Sequence, residues 1–205
     1  MIFEKRSHYK SWGQLKKQML GLLCEALRDK ISYTYTSYHR GPFDTNLYGR
    51  ASIVYDKKEL LAFTWNNGSA QWDDIIKTDK EKGYNLKSLG SIAAMMEKQN
   101  EVEADLLQEK WMPEGMLSEV DFIDSVTLYL KTDIETSLHS DNYLLRVFAY
   151  MDRRVGKRTL IKIKDDVEKL PAWVKQFYRI RCEADGIIFP PKRITDESVV
   201  CLSAQ

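Results

Sequence analysis

The segment RASIVYDKKELLAFTW constrains the fold of this chain more than any other. Residues 50–56 and 59–65 alternate with period two and are rich in β-branched and aromatic side chains, and the short polar turn DKK between them is typical of a β-hairpin. ISYTYTSY, residues 31–38, is a third run of this kind. We therefore predict an antiparallel sheet of three or four strands, with Ile53, Phe63 and Trp65 as core contacts.

Helical spacing of apolar residues surrounds this β region. Before it, an apolar stripe predicts a helix over residues 12–29, packed on one face of the sheet. After NNGS the β pattern ends, and helical patterns follow over residues 86–110 and 118–131, from Asp141 onward and from Pro171 onward. The predicted class is α+β, a helix on a small antiparallel sheet followed by a helical C-terminal half. We expect a helix-plus-sheet region over 1–66, a helical region over 67–189 packed with it as one compact unit, and a tail over 190–205.

The charges are unevenly distributed, although the formal net charge is only +1. Residues 1–66 carry 11 basic and 6 acidic groups, residues 67–139 carry 7 and 15, and residues 140–205 carry 13 and 9. This distribution argues against a protein that coats nucleic acid over its whole surface. It allows a local basic face, or pairing of the basic ends with the acidic middle.

Several features predict a cytoplasmic protein. The N-terminal sequence MIFEKRSHYKSWGQ lacks the apolar core of a secretory signal, and no stretch approaches the ~18 apolar residues of a membrane-spanning helix. The three cysteines, Cys24, Cys182 and Cys201, are widely spaced and form no CxxC pair. We expect reduced thiols, no disulfide framework and no zinc site.

In the stretch YMDRRVGKRTLIK, residues 150–162, five charged residues lie within four positions of Gly156, namely Asp152, Arg153, Arg154, Lys157 and Arg158. Its Gly156-Lys157 pair is also found in phosphate-binding P-loops. However, Met151 occupies the position of the second glycine, Arg158 replaces the Ser or Thr that binds magnesium, and the preceding element is a predicted helix instead of a strand. The sequence therefore excludes a P-loop.

Three interpretations of this stretch remain. In the first it is a joint between helices: Gly156 can take the left-handed conformation past a helix end, Arg153 and Arg154 lie in the last helical turn, and Asp152 pairs with a cation that follows the glycine. In the second, four cations contact phosphate or an acidic partner, namely Arg153, Arg154, Lys157 and Arg158. The third is a catalytic arginine.

Other catalytic or metal-binding patterns are absent from the sequence. The histidines, His8, His39 and His139, have neither HxxxH nor HExxH spacing, and no serine lies in a GxSxG elbow. The tyrosines of the β region, beside Arg40 and Arg50, suggest base stacking, but tyrosine is also an ordinary strand residue. We predict no cofactor and no metal, and we lean toward a protein that is not an enzyme.

The motifs SWGQLKKQMLGLLCEAL, YGRASIVYDKKEL, DRRVGKRTL and PAWVKQFYRIR resemble an uncharacterised family of bacterial cytoplasmic proteins. The resemblance covers residues 11–66 and 140–184 and implies no activity.

Our leading hypothesis is a non-enzymatic protein that binds another protein, with immunity or antitoxin proteins as one example of such a class. The alternatives are a nucleic-acid-binding protein that uses the basic C-terminal segment, and an enzyme of unfamiliar design. The sequence leaves the oligomeric state open.

Overall fold

The computed structural model describes residues 11–38 and 48–188, so the predicted tail lies outside the described residues. Helix α1 spans Trp12–Leu22, and the strands are β1 (Ile31–Tyr38), β2 (Tyr48–Tyr55) and β3 (Lys58–Thr64). The helices that follow are α2 (Trp65–Lys82), α3 (Ile92–Leu106), α4 (Met112–Glu114), α5 (Glu119–Tyr129), α6 (Ile134–Leu138), α7 (Tyr143–Met151), α8 (Lys157–Lys162), α9 (Lys164–Val167) and α10 (Ala172–Ala184). The predicted α+β class is confirmed.

The described strands form the predicted antiparallel sheet, in which β2 lies between β1 and β3. The hairpin turn consists of Asp56 and Lys57, whose φ angles of 45° and 66° are both positive. Such angles match the twist of a two-residue hairpin. Ile53 and Phe63 are fully buried, as predicted, whereas Trp65 is 38% exposed because it begins α2 instead of ending β3.

The first helix is shorter than the predicted range of residues 12–29, since α1 ends at Leu22. Leu23 leaves the helix and forms an isolated antiparallel β-bridge with Asp152. A short 3₁₀ turn, Glu25–Leu27, then leads toward the sheet. The apolar spacing continues past the end of α1 because the last residue of that turn is also in the core.

No separate helix was predicted at the position of α2, although the region over 67–189 was expected to be helical. NNGS, which ends the predicted β region, lies in the first turns of this helix, because the Thr64 hydroxyl accepts a hydrogen bond from the Asn67 N–H at 3.3 Å and caps the helix. Gly83, with φ of 64°, ends it. The buried face of α2 includes Gln71, a polar residue, which weakens the apolar signal.

The helix predicted over residues 86–110 begins later and continues further. Ser91 caps α3 by accepting from the Ala94 N–H. A π-helical turn, Leu107–Trp111, then joins α3 to α4, and Gly115 ends that helix with φ of 71°. The separation predicted between the helices over residues 86–110 and 118–131 therefore begins at Gly115.

The later helices agree more closely with the sequence. Ser118 and Asp121 form a reciprocal capping box at the start of α5. Asn142 caps α7, one residue after the predicted Asp141. Pro171 directly precedes α10. These boundaries shift by only one or two residues because the capping residues are visible in the sequence.

The described residues contain two clusters of buried apolar side chains. The larger one unites α1, the sheet, α5, α7 and α10, and its aromatic centre comprises Tyr33, Phe63, Phe122, Tyr129 and Phe148. The smaller one lies between α2, α3 and the π-helical turn and comprises Ile75, Leu86, Val102 and Trp111. Since seven of the nine residues of α7 are buried, the segment that follows α7 starts from the interior of the larger cluster.

Candidate functional site

The segment of residues 152–156 connects α7 to α8 and is fixed by backbone pairing. Beside the β-bridge between Leu23 and Asp152, the Arg153 N–H donates to the Leu22 carbonyl at 2.8 Å. The stretch of many charges is therefore an ordered connection whose backbone is anchored to the end of α1.

The Asp152 carboxylate is the buried centre of this connection. Its side chain is fully buried, and it accepts hydrogen bonds from the Tyr129 hydroxyl at 2.6 Å and from the Arg154 backbone N–H at 2.7 Å. The Arg154 guanidinium donates further hydrogen bonds to the carboxylate, from Nε to one oxygen at 3.0 Å and from Nη2 to the other at 2.7 Å. Bidentate pairs of this kind are among the stronger hydrogen bonds in proteins, so this carboxylate holds the turn in one conformation.

Arg181, on α10, holds the backbone of the same connection from the other side. Its side chain is buried, and Nη1 donates to the carbonyl oxygens of Tyr150 and Asp152 at 2.9 Å each. Nη2 donates to the Val155 carbonyl at 2.6 Å, and Nε donates to Asp185 at 3.0 Å. Tyr150 lies in the last turn of α7, where a helix leaves acceptors without intrahelical donors, whereas Asp152 and Val155 lie in the connection itself. Arg181 therefore donates both to the end of α7 and to the connection.

The protonation states of this network are held by burial and by pairing. Burial raises the pKa of the Tyr129 hydroxyl, and the neighbouring Asp152 carboxylate raises it further. The hydrogen bonds to Asp152 raise the pKa of Arg154. Tyr129 therefore stays neutral and Arg154 stays charged near neutral pH, as a structural network requires.

Arg153 in the connection and Lys157 and Arg158 at the start of α8 are exposed cations, and we call these three residues the basic surface. Within residues 11–38 and 48–188, their side chains form no ion pair and no hydrogen bond. Lys157 and Arg158 lie in the first turn of α8, where the helix dipole disfavours positive charge. No ion pair with a described residue stabilises these three cations, and the helix dipole disfavours the two that lie on α8.

The comparison with known proteins applies to this whole region. The model of one protein family, the SF0329 protein family, matches residues 11–182. The chain belongs to the SF0329 protein family. The matched range includes the connection, the basic surface, Tyr129 and Arg181. No curated protein and no solved structure matches the chain.

Three details of this SF0329 family protein differ from the expected joint. Gly156 has φ of −88° and ψ of 167°, so it is extended and precedes α8 instead of ending α7 in the left-handed conformation. Arg153 and Arg154 lie beyond the last turn of α7, which ends at Met151. Asp152 pairs with Arg154, because the chain turns back immediately after the carboxylate, whereas we expected it to pair with a cation that follows the glycine.

Sequence reasoning missed Tyr129 and Arg181 as parts of the site. Arg181 falls on the same helical stripe of α10 as Val174, Phe177 and Tyr178, which are all buried. An arginine at such a position indicates a buried guanidinium that bonds to backbone carbonyls. Tyr129 follows Val126 by three residues on α5, which places it on the buried face of that helix.

The tyrosines and Arg50 in the described strands do not form a free stacking platform. Tyr33 is buried, Tyr35 packs against Trp12 with ring centroids 5.5 Å apart, and Tyr55 packs against the core. Arg50 pairs with Glu59 at 2.6 Å. Arg40 and the side chains of Tyr38 and Tyr48 lie outside the described residues. The packing of the described rings favours a structural role.

Other chemical groups of the SF0329 family protein are dispersed or buried. In the part of the chain that the structure describes, no group of three or more His, Cys, Asp or Glu side chains could hold a metal ion. His139 lies 3.5 Å from Glu135 on the surface, whereas His8 and His39 lie outside the described residues. Burial raises the pKa of the Cys24 and Cys182 thiols, which disfavours the reactive thiolate.

The helices give no indication of a membrane-spanning segment. Across residues 11–38 and 48–188, none combines the length and the apolar character that crossing a bilayer requires.

Proposed function

We propose that this SF0329 family protein is a non-enzymatic cytoplasmic interaction protein whose basic surface binds a negatively charged partner, in the first place another protein. The observation that carries the proposal is the contrast within one short segment. Asp152 and Arg154 are tied into the fold, while Arg153, Lys157 and Arg158 point outward without partners among the described residues.

The anchoring of the segment favours binding. A partner that meets the basic surface does not have to order the backbone beneath it, because Arg181 and the pairing with Leu22 already fix that backbone. Preorganisation of this kind lowers the entropy cost of association. Complementary charges add specificity and a faster association rate. Immunity and antitoxin proteins, which mask a partner through a charged face, are one class that would use such a surface.

A nucleic-acid partner is the second candidate, because cations that have no carboxylate partner also suit phosphates. The described tyrosines do not support it, since they pack into the fold and leave no row of exposed rings for bases. We therefore favour an acidic protein over a nucleic acid as the partner of the basic surface.

The test is affinity capture from the native cytosol with the wild-type chain and two triple variants. The first variant is Arg153→Ala/Lys157→Ala/Arg158→Ala. The matched control, Lys80→Ala/Lys87→Ala/Lys131→Ala, removes three other exposed lysines, so both variants change the net charge equally. Circular dichroism and thermal melting establish that each variant is folded before capture.

We expect the wild type and the control variant to retain one stoichiometric protein that high salt releases, and the basic-surface variant to lose it. Recovery that nuclease abolishes would assign the surface to nucleic acid. Equal recovery by all three chains, or loss in both variants alike, would contradict the proposal.

A further inference from the structure

Helix α8 continues the basic surface and adds an apolar side chain to it. Ile161 is 55% exposed, and it follows Lys157 by four residues and Arg158 by three. Residues at these spacings are neighbours on one face of a helix. An exposed isoleucine therefore lies between the two cations of α8.

The opposite face of α8 is firmly attached to the core. Leu160 is fully buried, and Ile163 is nearly so. The Tyr178 hydroxyl donates a hydrogen bond to the Leu160 carbonyl at 2.7 Å. Since the helix already has a buried apolar face, Ile161 is not needed for packing, and the anchored helix holds Ile161 on the outside.

We infer that the partner of the basic surface is a protein that presents carboxylates around an apolar contact for Ile161. The inference rests on the proposed function and names its partner. Lys157 and Arg158 flank the isoleucine as a charged rim flanks the apolar centre of a protein interface. Phosphates would satisfy the cations but offer nothing to an aliphatic side chain, so charge and apolarity together favour protein over nucleic acid.

The local acidic groups do not neutralise this face. Asp166, on the following helix, pairs with Lys169 at 3.2 Å, and Asp152 is occupied by Arg154 and Tyr129. Asp165 is exposed on α9 and forms no ion pair with Lys157 or Arg158. None of these three carboxylates pairs with Lys157 or Arg158, so we expect the partner to supply the complementary charge.

The experiment measures binding of three defined probes by fluorescence anisotropy at low and high salt. The first probe is a helical glutamate-rich peptide with leucine at every fourth position, the second is the same peptide with alanine at those positions, and the third is a short DNA duplex. The chains are the wild type, Ile161→Ser, the double variant Lys157→Ala/Arg158→Ala, and Ile92→Ser as a control. Ile92 is another exposed isoleucine, on α3.

We expect the wild type to prefer the leucine peptide to the alanine peptide by about tenfold, the order that burial of one aliphatic side chain provides. Ile161→Ser should abolish this preference, and Ile92→Ser should keep it. The double variant should bind both peptides more weakly than the wild type does, with the larger difference at low salt.

Each other outcome overturns a different statement. If both peptides bind equally and Ile161→Ser changes nothing, the apolar contact is wrong while the charged surface stands. If the duplex binds more tightly than either peptide and Ile161→Ser has no effect, the partner is a nucleic acid. If no probe binds, the basic surface itself is wrong, and the proposed function fails with it.

Discussion

Arginine side chains on the inner side of the connection between α7 and α8 are paired, whereas in the described part of the chain those on the outer side are not. On the inner side, Arg154 and Arg181 use their guanidinium groups to satisfy a buried carboxylate and buried carbonyls. On the outer side, Arg153 and Arg158 have no such partners within the described residues. Arg153 and Arg154 are adjacent in the sequence but differ in their contacts, because only Arg154 lies within hydrogen-bonding distance of the Asp152 carboxylate.

This contrast separates stability from binding. Loss of one member of a buried charged network leaves the remaining polar groups without partners in a place that water does not reach, which is costly. Loss of an exposed cation leaves only a surface that water already covers. Substitutions on the inner side should therefore lower the free energy of unfolding, whereas those on the outer side should change binding.

Arg181→Met should have the largest effect. It removes one donor from each of three carbonyls and the partner of Asp185, and we expect the free energy of unfolding to fall by about 3–5 kcal/mol, as when one member of a buried ion pair is deleted. Urea denaturation followed by circular dichroism measures it. Arg179→Met, two residues away on the exposed face of the same helix, is the control and should stay within about 0.5 kcal/mol. Equal effects of the two variants would show that Arg181 does not hold the connection.

Asp152→Asn should have the next largest effect. The neutral amide cannot accept all the hydrogen bonds from Tyr129 and Arg154, and we expect a loss of roughly 2–3 kcal/mol in the free energy of unfolding. Asp165→Asn, at an exposed carboxylate, should change it by less than about 0.5 kcal/mol. Urea denaturation of both variants makes the measurement.

A double-mutant cycle identifies the partner of Asp152 directly. Asp152→Asn and Arg154→Met should be coupled by about 1 kcal/mol, a modest value because Arg154 is partly exposed to solvent. Asp152→Asn and Arg158→Met should be additive. Coupling to Arg158 instead would restore the pairing that the sequence suggested and would contradict the inner and outer assignment.

The fold could be predicted where local signals agree with tertiary packing. Period-two alternation located the strands, apolar spacing located α5, and Asp141 and Pro171 located the starts of α7 and α10 within one or two residues. Helix α2 escaped because its pattern is mixed: Gln71 and Ile75 face inward, while Trp72 and Ile76 are exposed. Apolar spacing alone therefore does not mark the buried face of α2.

The site could be predicted only in part, for a related reason. The sequence showed that residues 150–162 are unusual and that the stretch could be a joint. The partners of Asp152, however, include the side chain of Tyr129 and, through its backbone carbonyl, Arg181. These residues lie 23 and 29 positions away along the chain and are brought together only by packing of α5 and α10 against α7. A single sequence does not display such distances.

Gly156→Ala should have the smallest effect, and this separates the observed connection from the expected one. A residue with φ of −88° and ψ of 167° accepts any L side chain, and a Cβ at Gly156 would meet no atom within 4 Å. We expect the free energy of unfolding to change by less than about 0.5 kcal/mol. Gly115→Ala is the contrasting control, since Gly115 has φ of 71° and its Cβ would lie 3.2 Å from Trp173, so it should cost more than about 1 kcal/mol. Gly156→Ser should stabilise slightly, because a hydroxyl at this position can cap α8. Thermal melts of the three variants measure these changes. If Gly156→Ala lowered stability as much as Gly115→Ala does, the connection would have the left-handed turn after all.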